Sequence, residues 1–193
     1  MGFFGWLRAK TADRVDPRLI EWQREWTAAA ASGDSDGLTV LHSRLDAIGL
    51  PDEEIEIERE MLDGLRELMA LRTTVASNGL PVLETGHRVI GSDRLHFSAP
   101  ASMPDDPAQP GGRLLLTGSR AIFVGGARTT TVPWHAVGEA RHDRRDVVLV
   151  RKDRENLYRF RCNSFADALC GAYTAQRLAA VRQPAAVTEQ PRT

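Results

Sequence analysis

The chain has 193 residues and a formal net charge of −1, with 42% hydrophobic and 26% charged residues. This composition is typical of a folded, soluble protein and argues against wholesale disorder. No apolar run approaches the roughly 20 residues that a membrane-spanning helix requires, and Met1–Lys10 lacks the small-residue cleavage site of a secretory signal. Charge is uneven, with 11 basic and 19 acidic residues in 1–112 against 14 and 7 in 113–193. We favour mutual neutralisation of these halves within one molecule over separate partners for each.

Residues 1–15 form an apolar and basic segment. Large apolar side chains are stabilised by roughly 1.5–3 kcal/mol each when fully buried, so this segment is expected to seek a surface. That surface is the protein itself, the interpretation we favour, or alternatively a partner groove or a membrane interface. The candidate membrane or partner contacts are Phe3, Phe4, Trp6 and Leu7.

Residues 16–80 are predicted to form three helices. Asp16-Pro17 is typical of a helix start, and glycines at the expected ends are typical of helix stops. The apolar side chains recur at helical spacing, which favours a small bundle core over an exposed coiled-coil seam, because no heptad is sustained. One ridge of the third helix is predicted to contain Ile57, Met61, Leu65 and Leu68. The predicted helices run from Asp16 to Ala31, from Asp34–Asp36 to Ile48, and from Pro51 to Asn78.

From Val82 onward the periodicity changes from helical to strand-like. A first strand pair is predicted at Val82–Ile90 and Leu95–Ala99, followed by a loop at Pro104–Gly112. Ser164 is predicted to cap a closing helix that continues to about Val181, and residues 183–193 are predicted to be a disordered tail. The other predicted strands are Leu114–Leu116, Ala121–Val124, Thr129–Val132, Gly138–His142, Val147–Arg151 and Leu157–Cys162.

Three sequence stretches resemble the pleckstrin-homology-like superfold, in particular its GRAM-like and bacterial PH-like branch. Gly112–Phe123 resembles the hairpin pattern G-x-L-x-L-T-x-x-R-x-x-F of that branch. Thr131–Val137 resembles its proline–tryptophan corner, and Leu157–Phe160 its final strand. The resemblance covers about Val82–Val181, roughly half of the chain.

The resemblance implies an α+β protein in which an N-terminal helical region of about three helices precedes a PH-like antiparallel β-barrel or sandwich capped by a C-terminal helix. The implied PH-like domain spans residues 82–182. Such domains commonly bind membrane lipids, peptides or proteins and are rarely catalytic. Phosphoinositide-binding members typically place several basic residues in the first hairpin, where this chain offers only His87, Arg88 and Arg94.

The residues show no pattern that indicates an active site. The five histidines are scattered without metal-ligand spacing, and neither a GxSxG nor a phosphate-loop pattern is present. Cys162 and Cys170 are eight positions apart, which favours buried thiols in a reducing compartment over a disulfide or zinc site. We therefore predict a protein that is not an enzyme and has no cofactor and no metal.

A cluster of basic residues lies between residues 141 and 161, with Asp143, Asp146, Asp153 and Glu155 among them. Alternate residues of a strand share a face, so Arg159 and Arg161 are expected to project from one side and Tyr158 and Phe160 from the other. We favour a solvated face with internal ion pairs over an anionic lipid site, and nucleic acid is disfavoured because aromatic side chains are sparse. The candidate contacts for an anionic ligand or lipid are Arg141, Arg144, Arg145, Arg151, Lys152, Arg154, Arg159 and Arg161.

Together these features predict a non-enzymatic PH-like adaptor or scaffold module that acts through protein–protein contacts in the cytoplasm. The alternative is a peripheral membrane protein that uses Phe3–Leu7 and the basic cluster on anionic lipid, where each basic residue adds about 1 kcal/mol.

Overall fold

The structure, a computed structural model, describes residues 16–33, 35–108, 110–126, 128–153 and 157–182. In these ranges three helices come first: α1 (Pro17–Ser32), α2 (Ser35–Ile48) and α3 (Glu56–Asn78). Seven strands and a closing helix follow, namely β1 (Leu95–Ser102), β2 (Gly111–Thr117), β3 (Arg120–Gly125), β4 (Arg128–Pro133), β5 (Val137–Asp143), β6 (Asp146–Arg151), β7 (Leu157–Cys162) and α4 (Phe165–Arg182). The α+β class and the N-terminal region of three helices are confirmed.

The helices begin and end largely where local chemistry dictates. The side chain of Asp16 accepts a hydrogen bond from the amide of Arg18, at 2.8 Å, and thereby caps α1. Gly33 ends that helix in the left-handed region, with φ of 79°. The predicted start of the third helix is wrong by about one turn, because Asp52–Glu54 form a separate 3-10 turn before α3.

The three N-terminal helices enclose a core that the first turns of α4 complete. Trp22 and Trp26 of α1 are buried and donate indole N–H hydrogen bonds to the carbonyls of Leu41 and Met61, both at 2.8 Å. Most of the predicted ridge of α3 is buried, but Ile57 is 52% exposed. Its place in the predicted ridge is wrong, because the buried face of the first turn of α3 carries Glu58 instead. The remaining members of this core are Leu19, Ala30, Leu45, Ile55, Leu62, Leu65, Leu68, Phe165 and Leu169.

The seven strands form one antiparallel sheet in the order β4-β3-β2-β1-β7-β6-β5, which is not closed. Adjacent strands lie about 4.8 Å apart, so a flat sheet would place β3 and β7 roughly 14 Å apart. The rings of Phe123 on β3 and Phe160 on β7 are instead stacked with centroids 5.8 Å apart. The sheet therefore curls until its inner faces meet.

All seven strands and α4 contribute to the core that this curl encloses. Trp134 forms the corner between β4 and β5, is fully buried, and donates its indole N–H to the carbonyl of Thr117 at 2.7 Å. The amide of Asp167 donates to the hydroxyl of Ser164 at 3.1 Å, so the predicted cap of the closing helix is confirmed. The curled antiparallel sheet and the closing helix are those that the PH-like resemblance implies.

Of the first predicted strand pair, Leu95–Ala99 is confirmed as part of β1, but Val82–Ile90 is wrong. Only Leu83 makes a β-bridge, with Leu95, and Arg88–Ile90 form a 3-10 turn. The true first hairpin joins β1 to β2 through residues 103–110, within the loop that was expected to follow the first strand pair. Residues 82–94 instead cross the outer face of β1–β3, where Ile90 is buried against Leu115 and Ile122.

Both cysteines are free thiols, Cys162 buried and Cys170 half-buried. Burial raises the pKa of each thiol to about 12, so neither carries a thiolate near neutral pH.

Candidate functional site

The predicted basic cluster lies on β5–β7 and on the turns that join them, and the structure describes seven of its eight members. Arg154 lies outside the described residues, as do Phe3, Phe4, Trp6 and Leu7. Of the seven, five form ion pairs with described carboxylates: Arg141, Arg145, Arg151, Arg159 and Arg161.

The outer face of β6 and β7 carries the densest part of this cluster. Asp146 begins β6 directly opposite Arg161, and Arg159 lies two residues earlier on β7, on the same face. Arg161 donates from Nε to Oδ1 of Asp146 at 2.9 Å, and Arg159 donates from Nη1 to Oδ2 at 3.0 Å. The same guanidinium of Arg159 also donates to Asp143 at 3.2 Å. As predicted, the two arginines share the outer face, and Phe160 between them is buried in the core.

Asp146 is held as a carboxylate although it is 3% exposed. Burial by itself would raise its pKa, but the hydrogen bonds from Arg161 and Arg159 outweigh this effect and keep the pKa below its usual value. The hydrogen bonds to Asp146 in turn raise the pKa of both arginines. A buried anion with two charged donors is satisfied internally, which leaves less of this positive charge for a ligand.

Arg145 lies apart from this group, at the contact between the helical region and the sheet. Its guanidinium pairs with Glu60 of α3 and lies over the ring of Phe165, 5.2 Å from the ring centre. Glu60 also accepts a hydrogen bond from the amide of Phe165 at 3.0 Å, so it caps the start of α4. We call the group formed by Trp26, Glu60, His142, Arg145 and Phe165 the helix–sheet joint.

Arg144 and Lys152 differ from the rest of the cluster. Both are exposed, and neither forms an ion pair with any residue that the structure describes. Arg144 has φ of 54° in the tight turn between β5 and β6, a conformation that residues other than glycine seldom adopt. They lie at opposite ends of the β5–β6 hairpin, so the fold does not bring them together.

Sequence reasoning named Asp143, Asp146 and Asp153 among the arginines and favoured internal ion pairs. It missed Glu60, which lies 85 residues from Arg145 along the chain. No local pattern connects the two residues, because the contact depends on how α3 packs on the sheet. Asp146 was visible as a neighbour of the arginines, and its position at the start of a strand opposite Arg161 was the available signal.

The described residues contain neither a candidate metal site nor a candidate membrane-spanning helix. Within those ranges, no group of three or more His, Cys, Asp or Glu side chains could hold a metal ion. No helix among them is both long and apolar enough to cross a membrane. The expectation of a protein without metal, cofactor or enzymatic activity stays a prediction.

No protein-family model and no curated protein matches the chain. Solved structures are similar to it at 10–11% identity. The linker-DH/PH domains of p115-RhoGEF align over 86% of this chain and 56% of that one, with a TM-score of 0.43. The activated truncation of Vav1 aligns over 86% and 47%, also with a TM-score of 0.43, at 11% identity. The PDZ-RhoGEF DH/PH domains in complex with RhoA align over 86% and 55%, with a TM-score of 0.41, at 10% identity.

The chain thus spans about half the length of these solved structures. Similarity at this level carries no argument about function. The strand order, the curl of the sheet and the capping helix define the fold of this chain.

Proposed function

We propose that this chain is a non-enzymatic PH-like adaptor or scaffold module of the GRAM-like branch, which acts through protein–protein contacts. The observation that carries the proposal is the internal pairing of the basic cluster. Its seven described basic side chains lie among six carboxylates that pair with five of them: Glu60, Asp105, Glu139, Asp143, Asp146 and Asp153.

This pairing matters because lipid attraction depends on net charge near the membrane. Each uncompensated basic residue adds about 1 kcal/mol to binding at an anionic surface, and a nearby carboxylate cancels much of that gain within a Debye length of about 8–10 Å. The described part of the cluster is close to neutral. A protein surface is the better partner, since mixed charges there set specificity and register.

The docking of the helical region supports the same proposal. Phe165 and Leu169 of α4 belong to the core of the three N-terminal helices, so the helices and the sheet share one closing helix. Packed in this way, the helical region adds a fixed surface beside the sheet. An adaptor benefits from such a rigid composite surface because less entropy is lost on binding.

Peripheral membrane binding remains the second candidate. Arg144 and Lys152 are exposed without a described ion pair and are available to an anionic headgroup. The full chain should therefore be tested by flotation with neutral and with phosphatidylserine-containing vesicles, at low and high salt. In parallel, the tagged chain is used for affinity isolation of protein partners. Any complex found is then reconstituted from this chain and the purified partner.

The adaptor proposal expects a stoichiometric rebuilt complex and no flotation. Salt-sensitive flotation on anionic vesicles that is lost in the double variant Arg144→Glu, Lys152→Glu would overturn it in favour of membrane binding. The matched control is Arg24→Glu, Arg177→Glu, which changes the net charge equally at two exposed helical sites. Failure to rebuild any complex would also count against the adaptor.

A further inference from the structure

His142 is the histidine of the helix–sheet joint, which also contains the ion pair of Glu60 and Arg145. It lies on β5, opposite Val147 of β6, and its ring contacts Trp26 of α1. The two ring centroids are 5.9 Å apart and the planes are 85° apart, an edge-to-face arrangement. Trp26 makes a second edge-to-face contact, with Phe165 of α4, also at 5.9 Å. One histidine therefore lies where α1, the sheet and the closing helix meet.

One nitrogen of this ring has no acceptor or donor within the joint. Nδ1 of His142 is buried and has no hydrogen-bond partner among the described residues. A neutral imidazole can leave one nitrogen as an unused acceptor, but an imidazolium must find acceptors for two N–H groups. Burial accordingly lowers the pKa of His142, and the negative charge of Asp143 offsets this only in part.

The charges around His142 do not provide the missing acceptor. On its own strand, Asp143 is engaged with Arg159 and Arg141 with Glu139. From α3 and the β5–β6 turn come Glu60 and Arg145, which pair with each other. The neighbouring turn of α1 presents Gln23, whose amide donates to Glu58 of α3 at 2.7 Å. α4 packs on β5 through alanines and through Gln176, which donates to the carbonyl of Ala140.

We propose that the helix–sheet joint is a proton-sensitive contact, in which protonation of His142 loosens the packing of α1 on β5. The inference does not depend on the adaptor proposal, because it concerns a contact within the chain. It would make the surface that spans the helices and the sheet responsive to mild acid.

The effect of pH on the stability of the joint follows from the difference in proton affinity of His142 between the packed and the open joint. The packed ring has a pKa below the value of about 6.5 for a free histidine, so the open joint binds the proton more readily. The joint keeps its full stability above pH 6.5 and loses it progressively as the pH falls from 6.5 to the pKa of the packed ring. Below that value, further acid has no additional effect through this residue.

The test is hydrogen–deuterium exchange of the full chain at pH 7.5 and 5.5, corrected for the intrinsic pH dependence of exchange. We expect amides of α1 that exchange by opening of the joint to lose protection at pH 5.5 by up to about tenfold, the limit set by a pH one unit below the free histidine pKa of about 6.5. His142→Phe keeps a ring against Trp26 without a titratable group and should abolish this loss. His135→Phe, at an exposed position in the β4–β5 corner, should retain it.

A second measurement does not depend on any variant. The NMR titration of the His142 ring in the wild-type chain should give a midpoint below 6.5. A midpoint at or above 6.5, or an equal loss of α1 protection in His142→Phe, would overturn the proposal.

Discussion

The side chain of Asp146 is 4% exposed, and its carboxylate accepts hydrogen bonds from Arg159 and Arg161, whose side chains are 29% and 58% exposed. One buried acid therefore holds two surface arginines in fixed positions on the outer face of the sheet. Hydrogen bonds to charged groups contribute about 1.5–3 kcal/mol each, whereas exposed pairs contribute roughly 0–1 kcal/mol. At the residue scale, burial of Asp146 determines that Arg159 and Arg161 are paired within the protein.

Replacing Asp146 by Asn should lower the free energy of unfolding at pH 7 by about 1.5–3 kcal/mol, since the charge is lost while the shape is kept. Because the folded-state pKa of Asp146 lies below 3.8, the stability it provides is present above pH 3.8 and is lost as the pH falls through the folded-state value. Chemical denaturation at pH 7 and at pH 3 measures both effects.

The comparison for this substitution is Asp143→Asn, an exposed partner of Arg159. It should cost less than about 1 kcal/mol. An equal decrease in the free energy of unfolding in the two variants would show that burial of Asp146 does not strengthen its ion pairs.

At the scale of elements, the crossing of α3 and α4 fixes the helical region on the sheet. Gly64 lies at this crossing, where an added Cβ would be 2.8 Å from the amide nitrogen of Ala166 and 3.0 Å from the carbonyl carbon of Phe165. Both are backbone atoms, so the neighbour cannot move away cheaply. Glycine is required here for close approach of two helices and not for its conformational freedom.

Gly64→Ala should therefore destabilise the protein by about 1–3 kcal/mol, although alanine is intrinsically the better helix former. Gly37 in α2 provides the matched control, because an added Cβ there meets only the Cβ of Ala29 at an ordinary 3.5 Å. Gly37→Ala should be neutral or stabilising by up to about 1 kcal/mol. Thermal or urea unfolding of both variants distinguishes a packing effect from a helix propensity effect, and a stabilised Gly64→Ala would contradict the close crossing.

At the scale of the whole molecule, the helices and the sheet are coupled through α4. Its residues belong to both cores, with Phe165 and Leu169 on the helical side and Ala168, Ala175 and Leu178 on the sheet side. Because α4 contributes side chains to both cores, displacing it when one core unfolds would also expose apolar side chains of the other core to water.

The described parts should consequently unfold in one cooperative transition. Circular dichroism at 222 nm reports mainly on the helices, and exchange of β2 and β3 amides reports on the sheet; both should give the same midpoint in urea. Glu60→Ala removes the cap of α4 and the partner of Arg145, and should lower both midpoints together, whereas Glu56→Ala, exposed on the first turn of α3, should change neither appreciably. Two separate transitions in the wild-type chain would show that the helical region folds independently.

Local signals in the sequence by themselves determined the elements of this protein. Helix caps such as Asp16 and Ser164 act within three residues, and the glycine turns of the β2–β4 meander act within four, so those predictions needed no knowledge of the fold. The prediction of a strand at 82–90 failed because the apolar residues there cover the outer face of strands that lie later in the sequence. Their apolar pattern therefore reflects a tertiary contact and not a strand.

Only the tertiary structure decided what the basic cluster does and how the halves meet. Whether an arginine is free or paired depends on carboxylates that are distant in sequence, as with Glu60 and Arg145. Likewise, the exposed position of Ile57 and the buried nitrogen of His142 follow from which element packs beside them. Periodicity reports which face of an element is apolar, but the interactions of charged groups act through space and are fixed only when the elements have packed together.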